Sequence, residues 1–447
     1  MLQRRTTSNG VRIAVLALIG AGFLVRLLWA GHFPNGLYAD SDWYYKQAVS
    51  LAQNHGYLYQ GQPSAIWPVG YPFVLSLFFR IAAPSLEMAK LQSVLLLTLD
   101  LALIYRYAQL AAGQWAVALA TLAIMAFAPS YVLAGSLVAS EPVFVCGLHL
   151  LFVVTLVAIR DDRTWHWLAT GMLTGLLMYV RPEAGVYLLI VLGALMLVRR
   201  KASFLRTIAL AGAITGSVLL VLLPWTVRNW TQLGLFVPVS TTGCMNLWIG
   251  HSPFADGGFV WPRDPAINPT VLREDDTEQI WYQRSCAAAQ AAILSDPGRV
   301  VALWPHKIYE LWATDDSLVH WNFAGVTDDG VRSWQDQVYR LVNWYYLPLL
   351  ALGLAMICWR LGQWAVWLFL PARRANPQAR PAAGDLFGIA VLILTTLVYL
   401  PFFGDARFHF GVLPVLVVFA VQPPIAGARW LVRISANRRI QEQPPAP

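Results

Sequence analysis

"VRIAVLALIGAGFLVRLLWAGHF", residues 11–33, is an apolar run broken only by two arginines and one histidine. Crossing a bilayer as a helix takes about 20 residues, so this run is long enough to span. It follows a basic "MLQRR" and has the outline of a secretory signal. No small-x-small site follows it, however, and comparable runs recur almost to Ile425. It therefore reads as an uncleaved first span, and the chain as a polytopic membrane protein. Composition agrees: of 447 residues, 57% are hydrophobic and only 13% are charged, against about 25% charged in an ordinary soluble domain. The formal charge of +8 is then a matter of topology, and a nucleic-acid partner is not indicated.

Basic clusters fix that topology. They occur at Arg4 and Arg5, at Arg106, at Arg160 and Arg163, in "VRRKASFLR" (198–206), in "PARRANPQAR" (371–380) and from Arg429 to Arg439. Placing all of them in the cytoplasm predicts spans near 11–30, 86–107, 114–135, 142–159, 165–180, 183–198, 206–225, 341–361, 384–403 and 408–425. That makes a mainly α protein of about ten or more spans with both termini inside. "GYPFVLSLFFRIAAP" (70–84) is too short and interrupted to cross, and is expected to lie as an amphipathic helix on the outer face. The chain divides into an N-terminal transmembrane module, 1–225, with a first outer loop at 31–85, then a large outer segment, 226–340, and a C-terminal module with a basic tail, 341–447.

With this sidedness, ionisable residues from distant parts of the chain gather at one face. Asp40 and Asp42 follow the first span, Glu141 sits in "LVASEPVF", and Arg181 and Glu183 sit in "VRPEAG". Arg228 lies in "PWTVRN", and Asp405, Arg407 and His409 lie in "FFGDARFHF". Charges at such depth are costly and mark candidate functional groups. Ordinary readings exist too: an acid suits a helix N-terminus at Glu141, and Arg181 with Glu183 beside Pro182 is also a local pair ending a helix. Carboxylates at Asp40, Asp42 and Glu141 suit a general base or a metal, and arginines suit bidentate contact with phosphate. Asp42, Glu141 and His55 are the candidate metal ligands, without ligand spacing, and no cofactor is certain. Ten of the 20 tryptophans fall between Trp225 and Trp344, where they suit sugar stacking or an interfacial belt. Cys244 and Cys286 share the polar outer segment, so a disulfide in an oxidising compartment and two free thiols both stay open.

The order of "YADSDWYYKQAVSLAQNHGY" (38–57), "PSAIWPVGYPFVLSLFF" (63–79), "ASEPVF" (139–144), "RPEAG" (181–185), "PWTVRNWTQLGLFVPVSTTGCMNLWIGHSPFADGGF" (224–259) and "RFHFGVLPVL" (407–416) resembles GT-C glycosyltransferases of the family 39 type. That group includes protein O-mannosyltransferases and the lipid A aminoarabinose transferase. The resemblance implies a GT-C fold in the bacterial inner membrane, working on the periplasmic side. The implied donor is a sugar on a polyprenyl phosphate, and the acceptor a glycolipid, polysaccharide or protein. The family's acidic motif, an Asp with a Tyr four residues on and a small residue four further, falls on Asp40, Tyr44 and Ala48. Its usual second acid is replaced by Ser41, with Asp42 one place later. Asp40 is implied as the base that deprotonates the acceptor, and Glu141 as the acid near the donor phosphate or a metal. Arg407, Arg228 and Arg181, with Tyr44, Tyr45 and His409, form the implied donor and phosphate site, and the reaction inverts. A transporter or flippase for a lipid-linked or polar substrate is the alternative, as is a lipid-linked oligosaccharide ligase or polymerase.

Overall fold

The computed structural model describes residues 9–369 and 383–427, so the basic groups at Arg4, Arg5, 371–380 and 429–439 lie outside the described residues. Within them the chain is helical apart from turns and one hairpin pairing Leu58–Tyr59 with Gln62–Pro63. Six helices are long and apolar enough to cross a membrane: Asn9–His32, Leu86–Ala112, Glu141–Asp161, Phe204–Leu233, Asp329–Phe369 and Ala406–Gly427. A bent pair brings the number to seven, and the protein is a multi-pass membrane protein. The expected ten or so spans are not reached by this measure. Thr164–Met178, Tyr187–Val198 and Ala383–Tyr399 form where spans were expected but run for only 15, 12 and 17 residues. The first two are separated by the irregular Arg181-Pro182 turn, where proline denies the preceding residue helical geometry.

The bent pair shows how sequence sets local structure. Ser85 starts Leu86–Ala112 by accepting the Met88 N–H at 3.1 Å, and Gly113 ends it with φ 66°, the left-handed conformation that glycine adopts at least cost. The next helix, Trp115–Phe127, runs into Pro129, which has no N–H to give the Met125 carbonyl. The chain turns by 54° into Pro129–Ser136. Arg26, fully buried in the first span, donates to Met125 O at 2.9 Å and Ala126 O at 2.8 Å. The guanidinium thus supplies the donors that the break removes.

The two ends of the bundle are distinguished by what meets there. At one, Arg199 donates to Asp162 at 2.8 Å and Gly384 packs against the Ala111 carbonyl. At the other, Lys90 donates to Phe33 O at 3.0 Å, Asn35 to Ser136 O at 3.0 Å and Tyr399 to Glu183 at 3.0 Å. Every candidate site residue belongs to this second end.

Two structures cover that end. The first loop contains the helices Asp40–Ala52 and Gly70–Ile81, which pack on each other through Tyr44 against Tyr71, 5.1 Å between centroids, and Tyr45 against Phe79, 5.3 Å. Gly70–Ile81 buries Tyr71, Leu75 and Phe79 at helical spacing and exposes Phe73, Leu77 and Ile81 opposite. Gly70 donates to Tyr179 O at 2.7 Å, and a Cβ there would lie 2.6 Å from that carbonyl, so only glycine lets the loop sit so close. The 226–340 segment carries the short helices Gly243–His251, Glu278–Ser295, Pro297–Ala302, Trp304–Trp312 and Ser317–Ala324. Cys244 and Cys286 are disulfide-bonded, tying the first two together. Ser317–Ala324 joins the main core through Leu318, Val319 and Phe323, while Trp248, Ile249 and Ala289 form a smaller core with Phe403.

Candidate active site

Asp40 is the first residue of its helix, and Ala39 before it has φ 48° and ψ −118°, a region that costs a side-chain-bearing residue about 1–3 kcal/mol. The strained residue turns the chain from the first span into the loop helix and sets the half-buried Asp40 over the bundle. Burial raises the Asp40 carboxyl above the usual carboxylate range; Arg407 pulls it down, Glu141 pushes it up and Arg181 pulls it down again. Four charges from separate parts of the chain therefore act on one another here.

The candidate phosphate-binding groups are not equivalent. Arg181 donates to Ser140 Oγ at 3.2 Å and to the Glu141 carboxylate, lies 3.8 Å from Glu183, and sits over Phe144. Its Nε is engaged by Ser140 and its Nη2 by Glu141, which is only 4% exposed. Arg228 donates to Ser64 O at 2.7 Å and Tyr57 O at 3.0 Å, gripping the first loop, and lies 4.6 Å from the Trp225 ring. His409 is fully buried between Trp312 and Tyr346, with one nitrogen 2.6 Å from Leu311 O and the other 3.2 Å from Asp315. Arg407 differs from all three. Its guanidinium lies 5.4 Å from both the Trp321 and Phe408 rings, and among the described residues no carboxylate is within ion-pair distance of it. Its Nε is buried without a partner, so it retains donors for an anion.

The remaining candidates fall around this centre. Tyr44 is buried behind Asp40 against Tyr71, and Tyr45 packs on Phe79 rather than towards the charges. Asp42 pairs with Lys46 at 2.6 Å on the exposed side of the same helix, and His55 is exposed in the turn that follows. Asp42, Glu141 and His55 do not come together, and among the described residues no three His, Cys, Asp or Glu side chains are placed to hold a metal ion.

On the loop side of Asp40 opens a cavity of about 550 Å³, walled by Trp43, Lys46, Tyr59, Gln60 and Trp67 with Asp42 at hand. One wall is the helix Asp40–Ala52, through Trp43, Lys46 and Gln47, and the other is the hairpin and the turn after it, through Leu58, Tyr59, Gln60 and Trp67; the sequence does not show that the two segments face each other. The hairpin wall is held in place from outside: Arg228 by the carbonyls just named, and Glu278 by accepting from Ala65 N at 3.0 Å and Thr241 at 2.8 Å. Trp321 carries no distinguishing mark in the sequence, being one of ten tryptophans from Trp225 to Trp344.

A family model described as dolichyl-phosphate-mannose-protein mannosyltransferase matches residues 67–227. It takes in Glu141 and Arg181 but neither Asp40 nor Arg407, and over that stretch it meets the resemblance carried by the motifs. Among solved structures, ArnT from Cupriavidus metallidurans bound to undecaprenyl phosphate is similar at 13% identity and a TM-score of 0.43, over 98% of this chain and 82% of that chain. The same protein in the apo state is similar at 13% identity and a TM-score of 0.41, over 91% and 74%. No curated protein matches the chain.

Proposed function

We propose that this multi-pass membrane protein is a GT-C glycosyltransferase that moves a sugar from a polyprenyl phosphate to an acceptor hydroxyl at the outer face of the inner membrane. The observation that carries the reading is the setting of Asp40, which feels the charges of Arg407, Glu141 and Arg181 and also lines an open cavity. A transfer between two substrates needs a base placed between them. Asp40 takes the acceptor's proton as its oxygen attacks the anomeric carbon, and Arg407 stabilises the charge growing on the departing lipid phosphate. A single displacement of this kind inverts the anomeric centre. The motif order and the family match over residues 67–227 support the reaction class. The test is mass spectrometry of envelope glycolipids and glycoproteins with and without the gene: the reading requires a sugar that disappears with it.

The buried Asp100 and His149, 2.7 Å apart and both fully enclosed, are the feature that favours a transporter, since ionisable groups inside a bundle often mark a pathway. Here they bridge Leu86–Ala112 and Glu141–Asp161 within the core. Flux of a lipid-linked sugar across proteoliposomes, unaffected by Asp40→Asn, would establish that reading instead.

Arg407→Ala is expected to lower kcat/KM for the lipid donor on the order of 10- to 10²-fold, matching about 1.5–3 kcal/mol for a charge-assisted hydrogen bond. Arg407→Lys should recover part of this, because an ammonium restores charge but not the planar fork. If Arg407 only anchors its segment by packing on Trp321 and Phe408, donor use will be unchanged in both variants.

The sidedness has its own measurement. Cysteine at position 274, in the outer segment, should react with an impermeant thiol reagent added to intact spheroplasts. Cysteine at position 203, between Tyr187–Val198 and Phe204–Leu233, should react only after the membrane is opened. The reverse pattern would put Asp40 in the cytoplasm and end the proposal of a periplasmic donor.

A further inference from the structure

We infer that the cavity beside Asp40 is the acceptor site and that the acceptor hydroxyl is carried by a carbohydrate, not by an acyl lipid or a polypeptide side chain. The inference rests on the transferase reading and adds to it the class of its second substrate. Trp43 and Tyr59 stand 5.0 Å apart between ring centroids and are tilted by 41°, and with Trp67 they wall the cavity. Aromatic faces set at an angle form a corner that suits the apolar face of a pyranose, while the polar edge of the ring needs hydrogen-bonding partners. Those partners line the same cavity: the half-exposed carboxylate of Asp42, the exposed ammonium of Lys46 and the exposed amide of Gln60.

The other acceptor classes are less well served. Leu58 and Ala39 are the only aliphatic side chains in the wall, too few to receive an acyl chain. A peptide laid along the hairpin would find strands of two residues each, too short to pair with a third strand. Gln47, the most buried amide of the wall, is already bound to Leu58 N at 3.1 Å and Leu58 O at 2.6 Å, and Ser50 donates to Gly56 O at 2.7 Å. These bonds brace the wall and leave recognition to the aromatic corner and the rim. The volume of about 550 Å³ falls in the range of small-ligand sites, about 300–1,000 Å³.

In the transfer, the acceptor oxygen forms its bond to the anomeric carbon and its proton passes to the Asp40 carboxylate. The bond from that carbon to phosphate oxygen breaks, and its electron pair leaves with the polyprenyl phosphate. The corner of Trp43 and Tyr59 holds the acceptor ring while this happens and touches no part of the leaving group.

The probe is a photoreactive p-benzoylphenylalanine at position 46, on the rim, in the full-length protein in its own membrane, with the same group at position 274 as the control. Irradiation is expected to give adducts whose masses resolve into sugar residues, reduced at least tenfold when Trp43→Ala and Tyr59→Ala are added. Adducts with acyl chains attached would identify the source as a glycolipid, and adducts without them a polysaccharide. Adducts that digest to peptides, or none above the control, would overturn the inference. Loss of an envelope sugar on deleting the gene, seen together with peptide adducts, would leave the transferase reading standing and remove only the carbohydrate acceptor. No change in any envelope sugar would remove the reading itself.

Discussion

Asp40→Asn is expected to cut sugar transfer by about 10²- to 10⁴-fold, the usual contribution of a general base, while the protein inserts normally and still binds polyprenyl phosphate. The amide keeps the shape of the side chain at the start of Asp40–Ala52 and cannot accept a proton at any useful pH. The same residue predicts a pH dependence. A base works only when deprotonated, and burial, the largest influence on Asp40, raises its carboxyl above the ordinary 3.8. Activity of the natural protein should therefore decline on acidification with a midpoint above that value, and the residual activity of Asp40→Asn should lack this acid limb. Transfer by purified Asp40→Asn within a few-fold of the natural rate would sink the assignment. Glu141 would then be the next acid to test, although its tight pairing with Arg181 leaves it poorly placed to take a proton.

The apolar runs announce helices because burial in lipid demands a closed backbone, and each expected span contains a helix, though those near 114–135, 165–180, 183–198, 384–403 and 408–425 are broken or stop short. What hydropathy cannot register is how a helix stops. Pro129 breaks one span and Arg26 on another repairs it, a bond between residues about a hundred positions apart that no local window contains. The same limit governs the site. In sequence, Arg181, Arg228 and Arg407 are three similar cations near one face. Only their contacts separate one bound to Glu141, one clamping the first loop and one left with donors to spare. His409 looked like a fourth, but its two stacked neighbours and two acceptors belong to core packing. The disulfide was open for a related reason: two cysteines 42 residues apart carry no signal of proximity until the helices bearing them pack together. Asp100 and His149 escaped notice because each sits alone in an apolar run.

Arg181→Met is expected to destabilise the protein by about 3–5 kcal/mol, the typical cost of breaking a buried ion pair from one side. Methionine keeps much of the packing over Phe144 and removes the partner of Glu141, whose side chain is only 6% exposed. A carboxylate left there has no water to turn to, and its remaining help is the more distant Arg407. The loss should appear as a lower thermal midpoint in detergent and as faster proteolysis in membranes. Adding Glu141→Gln should restore part of the stability, because it removes the uncompensated buried charge while leaving an amide to be satisfied. The double variant then isolates function from folding. If Glu141 takes part in the reaction, by orienting the donor or Arg407, the restored fold will remain impaired in transfer. If the pair only braces Glu141–Asp161 against the turn at Arg181, activity will return with stability. An Arg181→Met protein as stable as the natural one would show that Glu141 is neutralised by protonation or by Arg407, and Arg407 would then be less free to meet a phosphate than its geometry indicates.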